Sequence, residues 1–515
     1  MSLRPSLLAL LTLALAAGAR SAPAPVVSAR TPRGSLLLLQ PDRTAPRIAI
    51  SLVLRAGAAD ETVASAGWRR LLVDSMLQST HDPSSSASSS ASGSAQAFLS
   101  GARLRDRIEA LGGRMTAQVG DDAIELSMTG PSARAPELLE ILMAIATQPR
   151  LSDEDIDRAR RALVRRLSDE PDAAGPDAAG PDAPGVPNAP GTSASAGGSA
   201  LDASARALRR LEERLYRDAG GNALAYALAP AGTLQSLSNL DSAQLRSLFS
   251  QYFAPARRVL SLAGDVDEAG LSAKAAQLEA GGQWGIAPDS RPDFAPVPAG
   301  APPLDVSQGA LVVRSDSPAA AVFLSYPVEF EALSAKESAA LQVLAAALGE
   351  SPRARLPRRL SDARRAFGNR QLDPGSAGSA NVAFAPSLTA QWVPRRLRGE
   401  FVLWAQTGPQ QIEAVKNALL DEMSKIRNAP LSPAELQAAK NFARGAYFTD
   451  RELLRERASR NALDAARAPG SARASSSVPG KPWISQVEGL SAREVQQAAR
   501  KYLKAYAVAL VMPVD

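Results

Sequence analysis

The sequence predicts an α+β protein of two similar domains, each a mostly antiparallel sheet covered by helices, and three observations carry that expectation. The first is an ungapped internal repeat. Residues 240–265 (LDSAQLRSLFSQYFAPARRVLSLAGD) match residues 490–515 (LSAREVQQAARKYLKAYAVALVMPVD), so that Leu240 meets Leu490, Leu245 meets Val495, Tyr252 meets Tyr502 and Asp265 meets Asp515. Both copies describe a capped amphipathic helix followed by an apolar strand. The second is an echo of LSDEDIDRARRAL (151–163) in LSPAELQAAKNFA (431–443). Each opens with a Ser followed three residues later by an acid, the reciprocal capping box that starts a helix. The third is an alternation of strand-like and helix-like patterns on both sides of a Pro/Gly-rich stretch, 280–307, which reads as a linker.

Taken in chain order, residues 1–21 read as a secretory signal. Arg4 supplies a positive start, Ser6 to Ala17 a short apolar core, and Ala17-Gly18-Ala19 or Ala19-Arg20-Ser21 the small residues for cleavage. This implies a periplasmic or secreted protein. Organellar import is the alternative, since no acid precedes Asp42, but a presequence would be amphipathic and this core is apolar all round. The N-terminal domain spans 30–279. Within it, Ile48, Ile50, Leu52 and Leu54 alternate with Ala49, Ser51 and Val53, predicting a half-buried strand. Trp68, Leu71, Leu72, Ser75 and Met76 then fall at helical spacing over 66–78. Two low-complexity stretches, 82–95 and 171–200, are too poor in large apolar residues to fold, so they read as disordered insertions. The C-terminal domain spans 308–515. It opens with a strand at 320–328, followed by a helix capped by Ser334 and Glu337, striped with Leu341, Leu344, Ala345 and Leu348, and stopped by Gly349. No apolar run is long enough to span a bilayer.

Composition excludes several functions. The net charge of +6 is spread over 515 residues, which is too dilute for nucleic-acid binding. There is no cysteine, hence no disulfide and no thiolate chemistry. No Gly-rich phosphate loop and no G-x-S-x-G elbow is present. The arginine clusters at 158–166 and 353–365 fit either an acidic partner or solvated helix faces.

Five segments carry a family resemblance. GWRRLLVDSMLQST (67–80) resembles the pitrilysin/insulinase helix G-L-A-H-x-L-E-H-M-L-x-x-G-T, and ISLVLRAGAADE (50–61) resembles the strand and turn before it. LRDRIEALGGRMTA (104–117) and AGTLQSLSNLDSAQLRSLFSQYFAPARRVLSLAGDVD (231–267) are similar to the next helix–turn and to the end of that family's first domain. In the second domain, RARLPRRLSDARRAF (353–367) resembles S-R-L-x-x-x-L-R-E-x-x-G-L-A-Y. The resemblance implies half of a clam-shaped peptidase chamber. Active members bind zinc through H-x-x-E-H and a downstream Glu, with the motif Glu activating water. Here Arg70, Val73 and Asp74 occupy the motif positions, and Arg166 aligns with the downstream ligand.

Independently, the chain holds one histidine, His81, beside the Ser tract, where it reads as an exposed loop residue. We therefore expect no catalytic, metal or cofactor-binding residues and no cofactor. Arg70 and Asp74 stand four apart on one helix face, which predicts an ion pair worth at most roughly 0.3 kcal/mol if exposed. The resemblance puts Ser361 at the position of the family's substrate-holding Arg, and the position of its Tyr at or beside Phe367; Arg358 or Arg359 could supply the cation but not the phenol. The resemblance thus implies a non-catalytic subunit. Such a chain pairs with a zinc-bearing homologue, or self-associates, in a chamber that takes peptide substrates. The alternative it leaves is a structural core subunit of a larger assembly without peptidase activity.

Overall fold

The computed structural model describes residues 25–83, 98–169, 198–217, 223, 225–280, 309–329, 333–351, 353–358, 388–396, 398–467 and 481–514. The expected signal segment, nearly all of the 82–95, 171–200 and 280–307 stretches, residues 359–365 of the second arginine cluster, Ser361, Phe367 and Asp515 lie outside them.

The first sheet comprises β1 (Val27–Arg30), β2 (Leu36–Pro41), β3 (Arg47–Leu54), β6 (Arg114–Val119), β7 (Ile124–Pro131) and β8 (Arg258–Gly264), in the order β1-β2-β8-β3-β7-β6. A small separate pair, β4 (Ser79–His81) and β5 (Phe98–Ser100), flanks the Ser tract. Helices α1 (Trp68–Met76), α2 (Gly101–Ala110), α3 (Ala135–Thr147), α4 (Asp153–Asp169), α6 (Leu234–Asn239), α7 (Ser242–Tyr252) and α8 (Glu268–Ala280) belong with this sheet, while α5 (Gly198–Leu215) leaves it. The second sheet runs β9 (Leu311–Ser315), β13 (Ala507–Pro513), β10 (Ala320–Glu329), β12 (Arg398–Thr407), β11 (Leu388–Val393). Its helices are α9 (Ala335–Ala345), α10 (Ile412–Asn428), α11 (Pro433–Thr449), α13 (Lys481–Glu488) and α14 (Ala492–Tyr502), with α12 (Leu454–Arg467) departing as α5 does.

The two sheets share one topology. β9-β13-β10-β12-β11 repeats β2-β8-β3-β7-β6 strand for strand, including the parallel pairing of β2 with β8 and of β9 with β13. The repeat seen in the sequence maps onto it: α7 and α14 occupy matching residues, and Leu240, Leu490, Leu245 and Val495 are all buried. The second echo maps onto α4 and α11. Ser432 and Glu435 form the full reciprocal box, at 2.9 and 3.3 Å, and Ser152 Oγ accepts from the Asp155 backbone N–H at 3.2 Å. Leu151 and Leu431, Ala159 and Ala439 then bury the same stripe.

The exchange of α5 and α12 joins the halves. Helix α12 lies across the outer face of the first sheet. There Ala458 packs on Ala49 and Ala263, while Ala462 and Ala465 join Leu38, Val53 and Val259. Helix α5 does the reciprocal, setting Ala203, Ala207, Leu211 and Leu215 against Phe323, Ala509 and Val511 of the second sheet. This corrects the half-buried reading of β3, in which every residue except Arg47 is buried. The face built of Ala49, Ser51 and Val53 looked solvated because its side chains are small. They are small because a helix backbone sits on them.

Gly349 is also corrected. It does not stop α9, which passes into a π-helical turn, Ala346–Glu350. A Cβ at Gly349 would lie 2.3 Å from the Ala390 nitrogen of β11, so the glycine is needed for close approach to the strand.

Two outcomes follow for stability. Ala458→Leu should overpack the α12–sheet contact and lower the unfolding free energy by roughly 1–3 kcal/mol in urea denaturation. Glu435, which caps α11, also receives two hydrogen bonds from Arg355 at 2.7 and 2.9 Å, and that pairing holds its carboxyl down at about 2. Its contribution is therefore complete above the ordinary 4.5 and is lost as pH falls toward 2. Glu435→Gln should cost about 1–2 kcal/mol at neutral pH, with the two denaturation curves converging near the acid limit.

Candidate functional site

Helix α1 starts from a crossing of two glycines. Gly67 and Gly232 both have positive φ, and a Cβ on either would come within 2.6 Å of the other segment's backbone. This contact ties the GWRRLL segment to the AGTLQSL segment. Trp68, Leu71, Leu72, Val73, Ser75 and Met76 are buried, so most of the helix surface is committed to the core. Arg69 turns to the preceding loop, its Nε 3.1 Å from Glu61 Oε1 with both side chains 1% exposed, and it also donates to the Gly120 carbonyl. Burial pushes the Glu61 carboxyl up even beside this cation.

What remains facing outward is Arg70 and Asp74. They form the predicted ion pair, Arg70 Nε to Asp74 Oδ2 at 3.1 Å, and are only 17% and 14% exposed. The same Asp74 oxygen accepts from Arg166 Nη2 of α4 at 3.3 Å. The three positions aligned with metal ligands by resemblance are therefore brought together in space. They hold two guanidiniums bridged by one carboxylate, with the side chain of Val73 buried beneath. A guanidinium offers no lone pair to a metal, and Val73 cannot accept a proton. These residues do not fit zinc. Among the described residues, no group of three or more His, Cys, Asp or Glu is placed to hold a metal ion.

His81 is corrected from exposed loop to strand. It pairs with Phe98 across β4–β5, is partly buried, and sets its ring edge-on to Phe98 at 6.2 Å. The pairing of the strands on either side of the Ser tract draws it in. The arginine cluster on α4 is mostly self-satisfied: Arg158 pairs with Glu154 and Asp155, and Arg160 with Asp157 and the Leu240 carbonyl. Arg161 and Arg165 are exposed.

Sequence reasoning missed two features. One is a groove of about 380 Å³ beside the Asp74 cluster, walled by Arg105 and Ser100 at the start of α2 and by Arg158 and Arg166 of α4. The other is an ion network between the halves. Arg395 sits among Glu400 (2.7 Å), Asp121 (2.8 Å) and Glu212 of α5, while Tyr216 donates to Glu400 at 2.7 Å. Next to it, Asp122 accepts from Tyr226 Oη and the Arg396 backbone. Burial, reinforced by Glu400 and Asp121, pushes the Glu212 carboxyl up to about 7. The Arg395–Arg396 pair in the sequence was the one available signal; apart from Glu400, five residues on, the partners named here lie about two hundred residues or more away.

The chain is thus a two-sheet α+β protein in which, among the described residues, the motif positions are not placed to hold a metal ion. Comparison with known proteins makes this specific. Residues 239–442 match the family model described as Peptidase M16 inactive domain. The structure is similar to a protease from Helicobacter pylori (TM-score 0.69, 16% identity, covering 95% of this chain and 100% of that one). It is also similar to a protein described as an M16-like peptidase from Alicyclobacillus acidocaldarius (0.69, 13%, 96% and 99%) and to a peptidase M16 inactive domain from Pseudomonas fluorescens (0.63, 18%, 95% and 98%). No curated protein matches the sequence. The family model thus covers residues 239–442, and over nearly the whole chain the solved structures share its fold.

Removing one partner of the buried pair behind the site should be costly. Arg69→Met leaves Glu61 buried without its cation and should lower stability by roughly 3–5 kcal/mol, read by chemical denaturation.

Proposed function

We propose that this chain is a non-catalytic pitrilysin-like subunit that pairs with a zinc-bearing homologue to form a peptide-degrading or peptide-processing chamber. The observation that carries the reading is the Arg70–Asp74–Arg166 cluster, which fills the motif positions with groups unable to bind metal or activate water. Around it the scaffold is kept: both sheets, the repeat and the exchanged helices are in place. In this role the chain contributes chamber wall and strand edges. β6 and β11 end their sheets, and an extended peptide can add to such an edge through backbone hydrogen bonds. Residues 1–21 support a periplasmic or secreted location for the pair.

Affinity capture of the full chain from its native compartment, with metal analysis of the purified chain, tests this. The expected outcome is a co-purifying partner that carries H-x-x-E-H, with zinc stoichiometric to the partner alone. Stoichiometric zinc in this chain, or a large assembly with no zinc-bearing homologue, would overturn it.

A further inference from the structure

We propose that the groove between α1, α2 and α4 is a binding site for a peptide carboxylate, supplied by a chain terminus or an acidic side chain. The reading rests on the proposed function to the extent that a peptide is the ligand offered.

The lining carries three guanidiniums, Arg105, Arg158 and Arg166, against one carboxylate, Asp74. Asp74 does not neutralise the groove, because its Oδ2 is shared between Arg70 and Arg166. Arg158 is balanced by Glu154 and Asp155 on its own helix. Arg105 has no hydrogen-bond or ion-pair partner among the described residues. An excess of positive charge therefore faces an open volume of about 380 Å³, within the range of small-ligand sites. Guanidinium groups bind planar carboxylates through paired, charge-assisted hydrogen bonds.

Other parts of the wall agree. The first turn of α2 borders the groove through Ser100, Gly101 and Ala102, and the Ser100 side chain makes no capping bond there. That end of a helix favours negative charge. Helices α1 and α2 both pack against β6, the last strand of the first sheet, so the groove lies beside an edge where an extended chain can be held. A peptide added to β6 could place a carboxylate among the arginines.

The test uses the full chain alone and three blocked tetrapeptides: acetyl-tetraglutamate amide, acetyl-tetraalanine with a free carboxyl terminus, and acetyl-tetraalanine amide. At least one carboxylate-bearing peptide should bind, with an affinity that falls as salt rises, while the neutral amide should not. Binding by the first probe assigns the side-chain source, and binding by the second the terminus. Arg105→Ala and Arg166→Gln should each weaken binding by about tenfold or more, and Arg161→Ala, exposed on α4 outside the groove, should leave it unchanged. Equal binding of the neutral amide, no effect of Arg105→Ala, or inorganic phosphate binding tighter than every peptide would overturn the proposal. Peptide binding without a zinc-bearing partner in the capture experiment would remove the subunit reading and leave this site; a captured partner with no peptide binding would do the reverse.

Discussion

The structure depends on the exchange of two helices between its halves. Each sheet is buried on one face by its own helices and on the other by a helix that the opposite half supplies. Neither sheet could be left without that cover, since β3 alone would expose Ala49 and Val53 together with Val259 and Ala263 of its neighbour β8. The exchange is anchored by polar contacts as well as packing. Arg457 on α12 pairs with Asp42 at 2.6 Å, Asn461 donates to Gln40 at 2.8 Å, and Arg55 reaches the Ala465 carbonyl at 3.0 Å. Buried groups of this kind tolerate no loose geometry, because each unmade bond leaves a desolvated donor or acceptor. The two halves therefore fold around each other as one unit.

That constraint reaches the site through a short chain of contacts. Helix α12 covers β3 from outside, while on the inner face Ile50, Leu52 and Leu54 of β3 belong to the same apolar core as Trp68, Leu71 and Leu72 of α1. The face of α1 left over presents Arg70 and Asp74 to Arg166 of α4. The network around Arg395 works alongside this. One guanidinium gathers carboxylates from the β6–β7 turn, from the exchanged α5 and from β12, so the helix that covers the second sheet is held electrostatically as well as by its apolar stripe.

Much of the fold was legible because its signals are local. Capping boxes at Ser152 and Ser432 and the stripes behind them are written within a dozen residues, and the repeat doubles each one. The ion pair of Arg70 and Asp74 was legible for the same reason, being four residues apart on one helix. Arg166 could be placed only through the family resemblance, since nothing in its own surroundings points to Asp74 ninety-two residues away. The misreadings share a cause. β3 looked half-buried because the helix on its outer face comes from more than four hundred residues later in the chain. Gly349 looked like a helix stop because its neighbour in space, Ala390, lies beyond a long intervening segment. Arg158 and Arg166 of the groove were visible only as part of a charge cluster and Arg105 only inside the 104–117 segment, because α1, α2 and α4 meet through tertiary packing that no spacing rule encodes.

The substitutions at the motif positions make sense as a set. A zinc ion held by two neutral imidazoles and one carboxylate carries one net positive charge. Two guanidiniums sharing one carboxylate carry the same. Once the motif Glu that Val73 replaces is counted, the zinc arrangement is neutral, so the cluster makes this place one unit more positive and offers neither a Lewis acid nor a base. Its members depend on one another: Arg70 without Asp74 would set two arginines close together with no counter-charge, and Asp74 without the arginines would be a partly buried, unpaired carboxylate. Positive charge at this place can still attract and orient anionic parts of a peptide, because that needs only a field and donors. Hydrolysis needs an activated water, and Val73 removes the group that would activate it. What these residues present at this place is therefore a net positive surface carrying the donors of two guanidiniums.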